Sequence, residues 1–545
     1  MATCGEVLVE LLEGYGVEHV FGIPGVHTVE LYRGLAGSSI RHITPRHEQG
    51  AGFMADGYAR TRGKPGVCFI ITGPGMTNIT TAMGQAYADS IPMLVISSVQ
   101  ARDQLGGGRG KLHELPSQAG LVAGVAAFSH TLMSADDLPQ VLARAFAVFD
   151  GARPRPVHIE IPLDVLVEPA GHLLPGRPVR TGRAGAAPRG VALMAERLAS
   201  ARRPLILAGG GALAAGTALA RLAEHLQAPV ALTINAKGLL PSGHPLQIGS
   251  TQSLPATRAL VAEADVVLAI GTELAETDYD VTFKGGFEIP GSLLRIDIDP
   301  DQTVRNYLPE LALVADAEQA AEALLDALQT QMQPVRDPTW GAVRAARLRQ
   351  DLSTTWDPPT LSQTRLLTSV LETLPDAILV GDSTQPVYTG NLTLDMDQPR
   401  RWFNASTGYG TLGYALPAAM GAWLGSGGQV DERSPAICLI GDGGLQFTLP
   451  ELASAVEAQV PLIVLLWNNQ GYEEIKKYMV NRAIEPVGVD IHTPDFIGVA
   501  RALGAAAQQV EDVAQLQAAL RQAVERQGPT LIQVDQAQWQ AAVGG

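Results

Sequence analysis

Two apolar runs of strand type, each ending in a short loop of cation- and phosphate-binding residues, constrain this chain more than any other feature. Ala436-Ile-Cys-Leu-Ile440 leads into Gly441-Asp442-Gly443-Gly444, and Pro461-Leu-Ile-Val-Leu-Leu-Trp467 leads into Asn468-Asn469-Gln470-Gly471. Unbroken apolar runs of this length are expected of strands covered on both faces, the condition of a parallel sheet between helix layers. Both loops then leave the sheet at its carboxyl edge, where open α/β folds bind ligands. A helix is expected after the first loop, from about Leu449 to Ala458. One carboxylate (Asp442), one amide oxygen (Asn469) and one loop carbonyl (Gly471) make a hard oxygen set suited to Mg²⁺ or Ca²⁺. Gly443 and Gly444 leave room for a phosphate at a helix N-terminus. Asp-Gly is also a common hairpin turn and Asn-Asn a common loop pair, so the argument rests on the two loops jointly, each after its own buried strand.

A chain of 545 residues exceeds what one hydrophobic core sustains. With 46% hydrophobic and 17% charged residues, its sheets should be well covered. The formal charge of −16, without any aromatic-basic stripe, argues against nucleic acid and membrane as partners. Cys68 and Cys438 lie inside apolar runs and Cys4 is the only other cysteine, so no disulfide framework is expected. The N-terminus lacks a basic segment followed by an apolar core, and nowhere do about 20 apolar residues run together. A cytoplasmic enzyme acting on a small molecule is the expectation.

Along the chain, strand and helix signals alternate in three α/β domains: residues 1–168, 190–330 and 358–545. Val67-Cys-Phe-Ile-Ile71 and Met93-Leu-Val-Ile96 are buried-strand runs of the first. A stretch rich in Pro, Gly and Arg, Glu168 to Gly190, reads as an exposed linker, and a mostly polar stretch, Gln329 to Pro359, leads into the third domain. In the second, Gly209-Gly-Gly-Ala-Leu-Ala lacks the full dinucleotide spacing and reads as a plain strand-to-helix turn. The first and third domains look like one kind of fold used twice, without a direct sequence repeat.

The paired loops and the domain order resemble the thiamine diphosphate enzymes, the family of acetolactate synthases and 2-oxo acid decarboxylases. That resemblance implies a thiamine diphosphate-binding fold in the first and third domains and a Rossmann-like central domain. It implies thiamine diphosphate and Mg²⁺ as cofactors, and a homodimer or homotetramer whose active sites are shared between subunits. Arg46-His47-Glu48-Gln49-Gly50-Ala51-Gly52 resembles the motif of the family's cofactor-activating glutamate, which makes Glu48 the catalytic candidate. Thr407-Gly-Tyr-Gly-Thr-Leu-Gly413 places Leu412 where relatives carry the wedge that bends the cofactor, and the Gly410 carbonyl matches the acceptor for its amino group. Asp382-Ser383-Thr384-Gln385 resembles a second loop touching the diphosphate, through Ser383, Thr384 and Gln385.

Several positions depart from the acetolactate synthases. Gly271 to Asp280 carries no arginine to receive a second oxo acid, Tyr478 stands for a tryptophan, and Gly249-Ser-Thr-Gln-Ser253 replaces the flavin-contacting segment, so FAD is not expected. Glu474 stands where relatives line the substrate chamber with an apolar residue. A carboxylate there would suit a cationic substrate tail, although a surface pair with Lys476 or Lys477 is an equally open reading. Glu473, Asp278 and Asp280 are alternatives. His113, in Leu112-His113-Glu114, lies where simple decarboxylases keep proton-moving histidines, and His27 is a second candidate beside the substrate. Gly22-Ile-Pro-Gly-Val-His-Thr-Val-Glu-Leu-Tyr32 and Lys111-Leu-His-Glu-Leu-Pro116 resemble the branch that decarboxylates 5-guanidino-2-oxopentanoate (2-ketoarginine) to 4-guanidinobutanal and CO₂. An acetolactate synthase-type carboligase, an arginine-related transferase using the same cofactor, or a non-catalytic protein on the same scaffold are the other readings.

Overall fold

Unbroken burial along the apolar runs produces sheets in which the named strands pair in parallel. The structure is a computed structural model and describes residues 2–331, 336–427 and 434–543. The first sheet holds β1 (His19–Gly22), β2 (Arg41–Ile43), β3 (Gly66–Ile70), β4 (Met93–Val99), β5 (Phe128–Thr131) and β6 (Val157–Pro162), in the order β2-β1-β3-β4-β6-β5. The second holds β7 (Pro204–Ala208), β8 (Val230–Leu232), β9 (Val266–Ile270), β10 (Ser292–Asp297) and β11 (Leu311–Val314), in the order β11-β10-β9-β7-β8. The third holds β12 (Ile378–Gly381), β13 (Trp402–Asn404), β14 (Ala436–Gly441), β15 (Ile463–Asn468), β16 (Ala506–Val510) and β17 (Thr530–Asp535), in the order β13-β12-β14-β15-β17-β16. Counted from its own first strand, the third sheet repeats the order of the first, so one topology is used twice, as expected. The central order, read from β8 to β11, is the flavodoxin-like order of doubly wound sheets, and not the strand order of a dinucleotide-binding Rossmann sheet.

By packing, the chain forms two compact units. One contains residues up to 182 together with 369–384 and 404–542, and the other contains 183–368 with 385–403. In the first unit, helix Glu48–Arg62 lies against helix Ala415–Gly425 so closely that a Cβ on Gly421 would come within 1.9 Å of the Met54 carbonyl oxygen. Buried charges lock this contact. Arg60 pairs with Asp56 at 2.6 Å and Asp89 at 2.5 Å, and the Tyr414 hydroxyl donates to Asp56.

In the second unit the glycine triplet is spent on the sheet, with the Gly209 and Gly211 amides donating to Ile270 and Gly271 carbonyls at 3.0 Å. The Gly249–Ser253 segment is built into the interior: Ser250 donates to the Asn391 carbonyl and Gln252 to that of Leu232. The stretch from 329 to 359 contains helix Ala342–Ser353, whose Ala345, Leu348 and Leu352 pack with Trp340 into the second unit's core, because an apolar stripe survives among its arginines. The helix expected from about Leu449 to Ala458 is present as Glu451–Glu457, and a further short helix, Asp442–Thr448, precedes it. All three cysteines are buried and free. Among the described residues no helix is long and apolar enough to cross a membrane.

Candidate active site

Parallel pairing of β14 with β15, in register from Ile437↔Ile463 to Gly441↔Trp467, sends both loops out of one sheet edge side by side. Asp442, only 1% exposed, is the first residue of its helix. Burial pushes its carboxyl above the usual carboxylate range, although the Asn469 backbone N–H donates to it. The Thr493 hydroxyl donates to Oδ2 at 3.4 Å. The Asn469 side chain turns its amide oxygen toward two other oxygens, Asp442 Oδ1 and the Gly471 carbonyl, each 3.0 Å away. In the reversed orientation its NH₂ would donate to both. Three oxygens of three kinds facing one point are what a hard cation organises, so this donor set fits Mg²⁺.

Beside this point the backbone is bare. A Cβ on Gly443 would lie 2.5 Å from Tyr472 Cε1, and one on Gly444 would lie 3.1 Å from Asp382 Oδ1. The loop after β12 closes on the same region, with Thr384 Oγ1 3.0 Å from the Cβ position of Gly441. Ser383 follows Asp382 on this loop, and Gln385 begins helix Gln385–Thr393. Asp382 had no role assigned from sequence, yet it organises the turn. Fully buried, it accepts N–H groups from Ser383 at 2.8 Å and Ala415 at 3.2 Å, and from Gly413 and Tyr414. Burial nevertheless pushes its carboxyl up to about 6. The turn it holds carries Gly410, exposed and at φ +76°, and Leu412, half-buried rather than in the core. Thr411 beside Leu412 donates to Gln85 Oε1 at 3.0 Å, and Thr407 donates to Asp89 at 3.0 Å. Gln85 is a second residue that sequence reasoning missed.

Glu48 opens helix Glu48–Arg62, half-buried, with Oε2 accepting a 2.9 Å bond from Asn78 Nδ2. The two histidine candidates, far apart in sequence, meet edge to face with ring centroids 5.1 Å apart. Each has a buried Nδ1 without a hydrogen-bond partner. Burial, and then the neighbouring His113, hold the His27 imidazole below its ordinary value. His113 itself sits at φ +61°, and the Leu112 carbonyl before it accepts a 2.6 Å bond from Gln100. Gln118 ties this loop to the sheet edge, accepting from Thr72 and from the Gly73 amide at 3.0 Å each.

Family models of the thiamine pyrophosphate (thiamine diphosphate) enzymes match this chain in three places: the N-terminal TPP binding domain at residues 2–121, the central domain at 191–324 and the C-terminal TPP binding domain at 382–534. The chain belongs to the thiamine pyrophosphate enzyme family. It is 49% identical to "Probable 2-ketoarginine decarboxylase AruI" of Pseudomonas aeruginosa, over 98% of this chain and 94% of that protein. It is 30% identical to the acetolactate synthase isozyme 1 large subunit of Escherichia coli, over 98% and 93% of the two chains. It is 31% identical to acetolactate synthase large subunit IlvB1 of Mycobacterium tuberculosis, over 92% and 82%.

The remaining positions bear on which thiamine pyrophosphate enzyme this is. Glu474 lies in the first turn of helix Glu473–Asn481, its side chain 39% exposed and 3.3 Å from Lys477 Nζ. The surface pair read as one alternative is therefore formed, and a cationic substrate would have to compete with Lys477. Lys476 turns instead to Asp490, at 2.7 Å. In the other unit, Asp278 accepts the Ile234 amide at 3.1 Å, and burial raises the Asp280 carboxyl above its ordinary value. Tyr478 is partly exposed, with the Arg482 guanidinium 5.5 Å from its ring centre.

Proposed function

We propose that this enzyme is a Mg²⁺- and thiamine diphosphate-dependent decarboxylase that converts 5-guanidino-2-oxopentanoate to 4-guanidinobutanal and CO₂. The observation that carries the substrate is the likeness along nearly the whole chain to a protein named as a 2-ketoarginine decarboxylase. The observation that supports the chemistry is the convergence of Asp442, Asn469 and Gly471 oxygens beside a glycine-lined cradle.

When bound, thiamine diphosphate supplies the carbon nucleophile and the electron sink for loss of CO₂. The chain's residues do the rest. Asp442 Oδ1, the Asn469 amide oxygen and the Gly471 carbonyl would hold Mg²⁺, while Gly443, Gly444, Ser383 and Thr384 would receive the diphosphate. Glu48 would present its carboxyl to the cofactor's pyrimidine ring and exchange a proton with it. Leu412 would pack against the bound cofactor, and the Gly410 carbonyl would accept a hydrogen bond from it. His113, with His27 against its ring, would supply a proton to the carbon that loses CO₂. Glu474 accepts the guanidinium through charge-assisted hydrogen bonds. The active sites are shared between subunits of a homodimer or homotetramer in the cytoplasm.

A carboligase of the acetolactate synthase type is the second reading, favoured by relatives at 30% identity and disfavoured by the missing arginine in Gly271–Asp280. A scaffold without catalysis is the third, and the complete set of Glu48, Asp442 and Asn469 argues against it. Purified protein with thiamine diphosphate and Mg²⁺ should release CO₂ and 4-guanidinobutanal from 2-ketoarginine. Acetolactate from pyruvate, without guanidinobutanal from 2-ketoarginine, would refute the proposal.

A further inference from the structure

A carboxylate only 1% exposed, Glu451, sits beneath the start of the helix that carries Glu48. A buried carboxylate is retained only with partners. Those of Glu451 are the Arg46 amide at 3.0 Å and 3.2 Å, the His47 amide at 3.2 Å and the Ser454 hydroxyl at 2.7 Å. Arg46 and His47 are the two residues before Glu48. His47 is the N-cap of helix Glu48–Arg62, in extended conformation at φ −151° and ψ 147°, and its own ring accepts the Gln49 amide at 3.2 Å. Amides at a helix start lack intrahelical partners, and an anion there also meets the favourable end of the helix dipole. The contact is tight: a Cβ on Gly50 would fall 2.2 Å from Glu451 Oε1, which accounts for glycine at that position in the Glu48 motif.

We propose that Glu451 is a positioning residue, a strut from helix Glu451–Glu457 that fixes the backbone from which Glu48 reaches the cofactor. The proposal rests on the reading of Glu48 as the activating carboxylate. Geometry is its substance. The strut holds both amides directly preceding Glu48, and Glu451 itself lies on the helix that follows the Asp442–Thr448 helix, so the cation loop and the start of the Glu48 helix are braced against each other within one chain. Burial pushes the Glu451 carboxyl up to about 7, opposed by its hydrogen bonds from Ser454, Arg46 and His47.

The test uses full-length protein loaded with thiamine diphosphate and Mg²⁺, and reads the rate at which the bound cofactor's thiazolium proton exchanges with deuterium, beside kcat and KM. Glu451→Asp keeps charge and burial but draws the acceptor back by one methylene, whereas Glu451→Gln keeps reach and loses charge. Glu451→Asp should slow exchange and kcat by about tenfold, with KM for the oxo acid changed by less than about twofold, and Glu451→Gln should restore exchange to within about twofold of wild type. Wild-type exchange in a folded, cofactor-loaded Glu451→Asp protein would overturn the proposal, as would Glu451→Gln exchanging no faster than Glu451→Asp. Glu48→Gln separates the two levels. If it leaves exchange at the wild-type rate, the reading of Glu48 has failed; if it abolishes exchange while Glu451→Asp does not slow it, the strut alone has failed.

Discussion

Replacing Glu474 with Gln removes one charge and little volume, so it isolates what that carboxylate contributes to substrate choice. Its side chain is 39% exposed and lies 3.3 Å from Lys477 Nζ, so water and a competing cation both weaken any bond it makes to a guanidinium. Hydrogen bonds to charged groups contribute about 1.5–3 kcal/mol when shielded and exposed pairs about 0.2–1 kcal/mol, so about 1–2 kcal/mol is expected here. That corresponds to a loss of about 5- to 30-fold in kcat/KM for 5-guanidino-2-oxopentanoate. An uncharged 2-oxo acid of similar length, such as 2-oxohexanoate, should lose less than about twofold. Lys477→Met, which removes the competitor, should shift the same ratio the opposite way. The assay is steady-state decarboxylation of both substrates by wild type, Glu474→Gln and Lys477→Met. Equal losses on the charged and uncharged substrates in Glu474→Gln would refute the assignment.

Gly443→Ala would put a Cβ 2.5 Å from the Tyr472 ring and into the diphosphate cradle, so thiamine diphosphate titrations should show affinity weakened about tenfold while kcat at saturation falls far less. Arg60→Met leaves Asp56 and Asp89 as buried carboxylates without their cation, at a cost of about 3–5 kcal/mol, and thermal melts should show an apparent Tm lowered by about ten degrees. His158 is fully buried between the Ser97 and Ser129 hydroxyls at 2.8 Å and 2.7 Å, and burial pushes its imidazole down to about 3. Its contribution is complete above the unfolded value near 6.5 and is lost as pH falls toward 3. Denaturant unfolding at pH 7 and pH 5 should therefore show a loss in wild type that exceeds the loss in His158→Gln by about 2 kcal/mol.

The strands were legible because burial on both faces leaves unbroken apolar runs such as Val67–Ile70 and Ile463–Trp467, a local signal. Their order was not, since strand neighbours are chosen by long-range packing, and only the structure reveals that the first and third sheets share one order. The short helix Asp442–Thr448, ahead of the expected one, was missed because Gly443 and Gly444 are poor helix formers and tertiary packing overrides that preference. Helix Ala342–Ser353 was hidden by its arginines. In the candidate site, Asp442, Asn469 and Gly471 could be read from sequence because cation ligands must stand at strand ends in characteristic residue types. Glu451 could not: Pro450-Glu451-Leu452 reads as an ordinary helix start, and its amide partner at Arg46 is 405 residues away. The meeting of His27 and His113 was equally invisible, because each lies on its own loop at the edge of the first sheet.

Calorimetric titration of thiamine diphosphate into the purified protein, with Mg²⁺ and with the metal chelated, tests the central claim most directly, because it asks whether the two strand-end loops hold cation and diphosphate together. Wild type should bind one cofactor per chain in Mg²⁺ and at least about a hundredfold more weakly without it, and Asp442→Ala should bind weakly in both. Cofactor binding that is equally tight with the metal chelated, or unchanged in Asp442→Ala, would contradict the account.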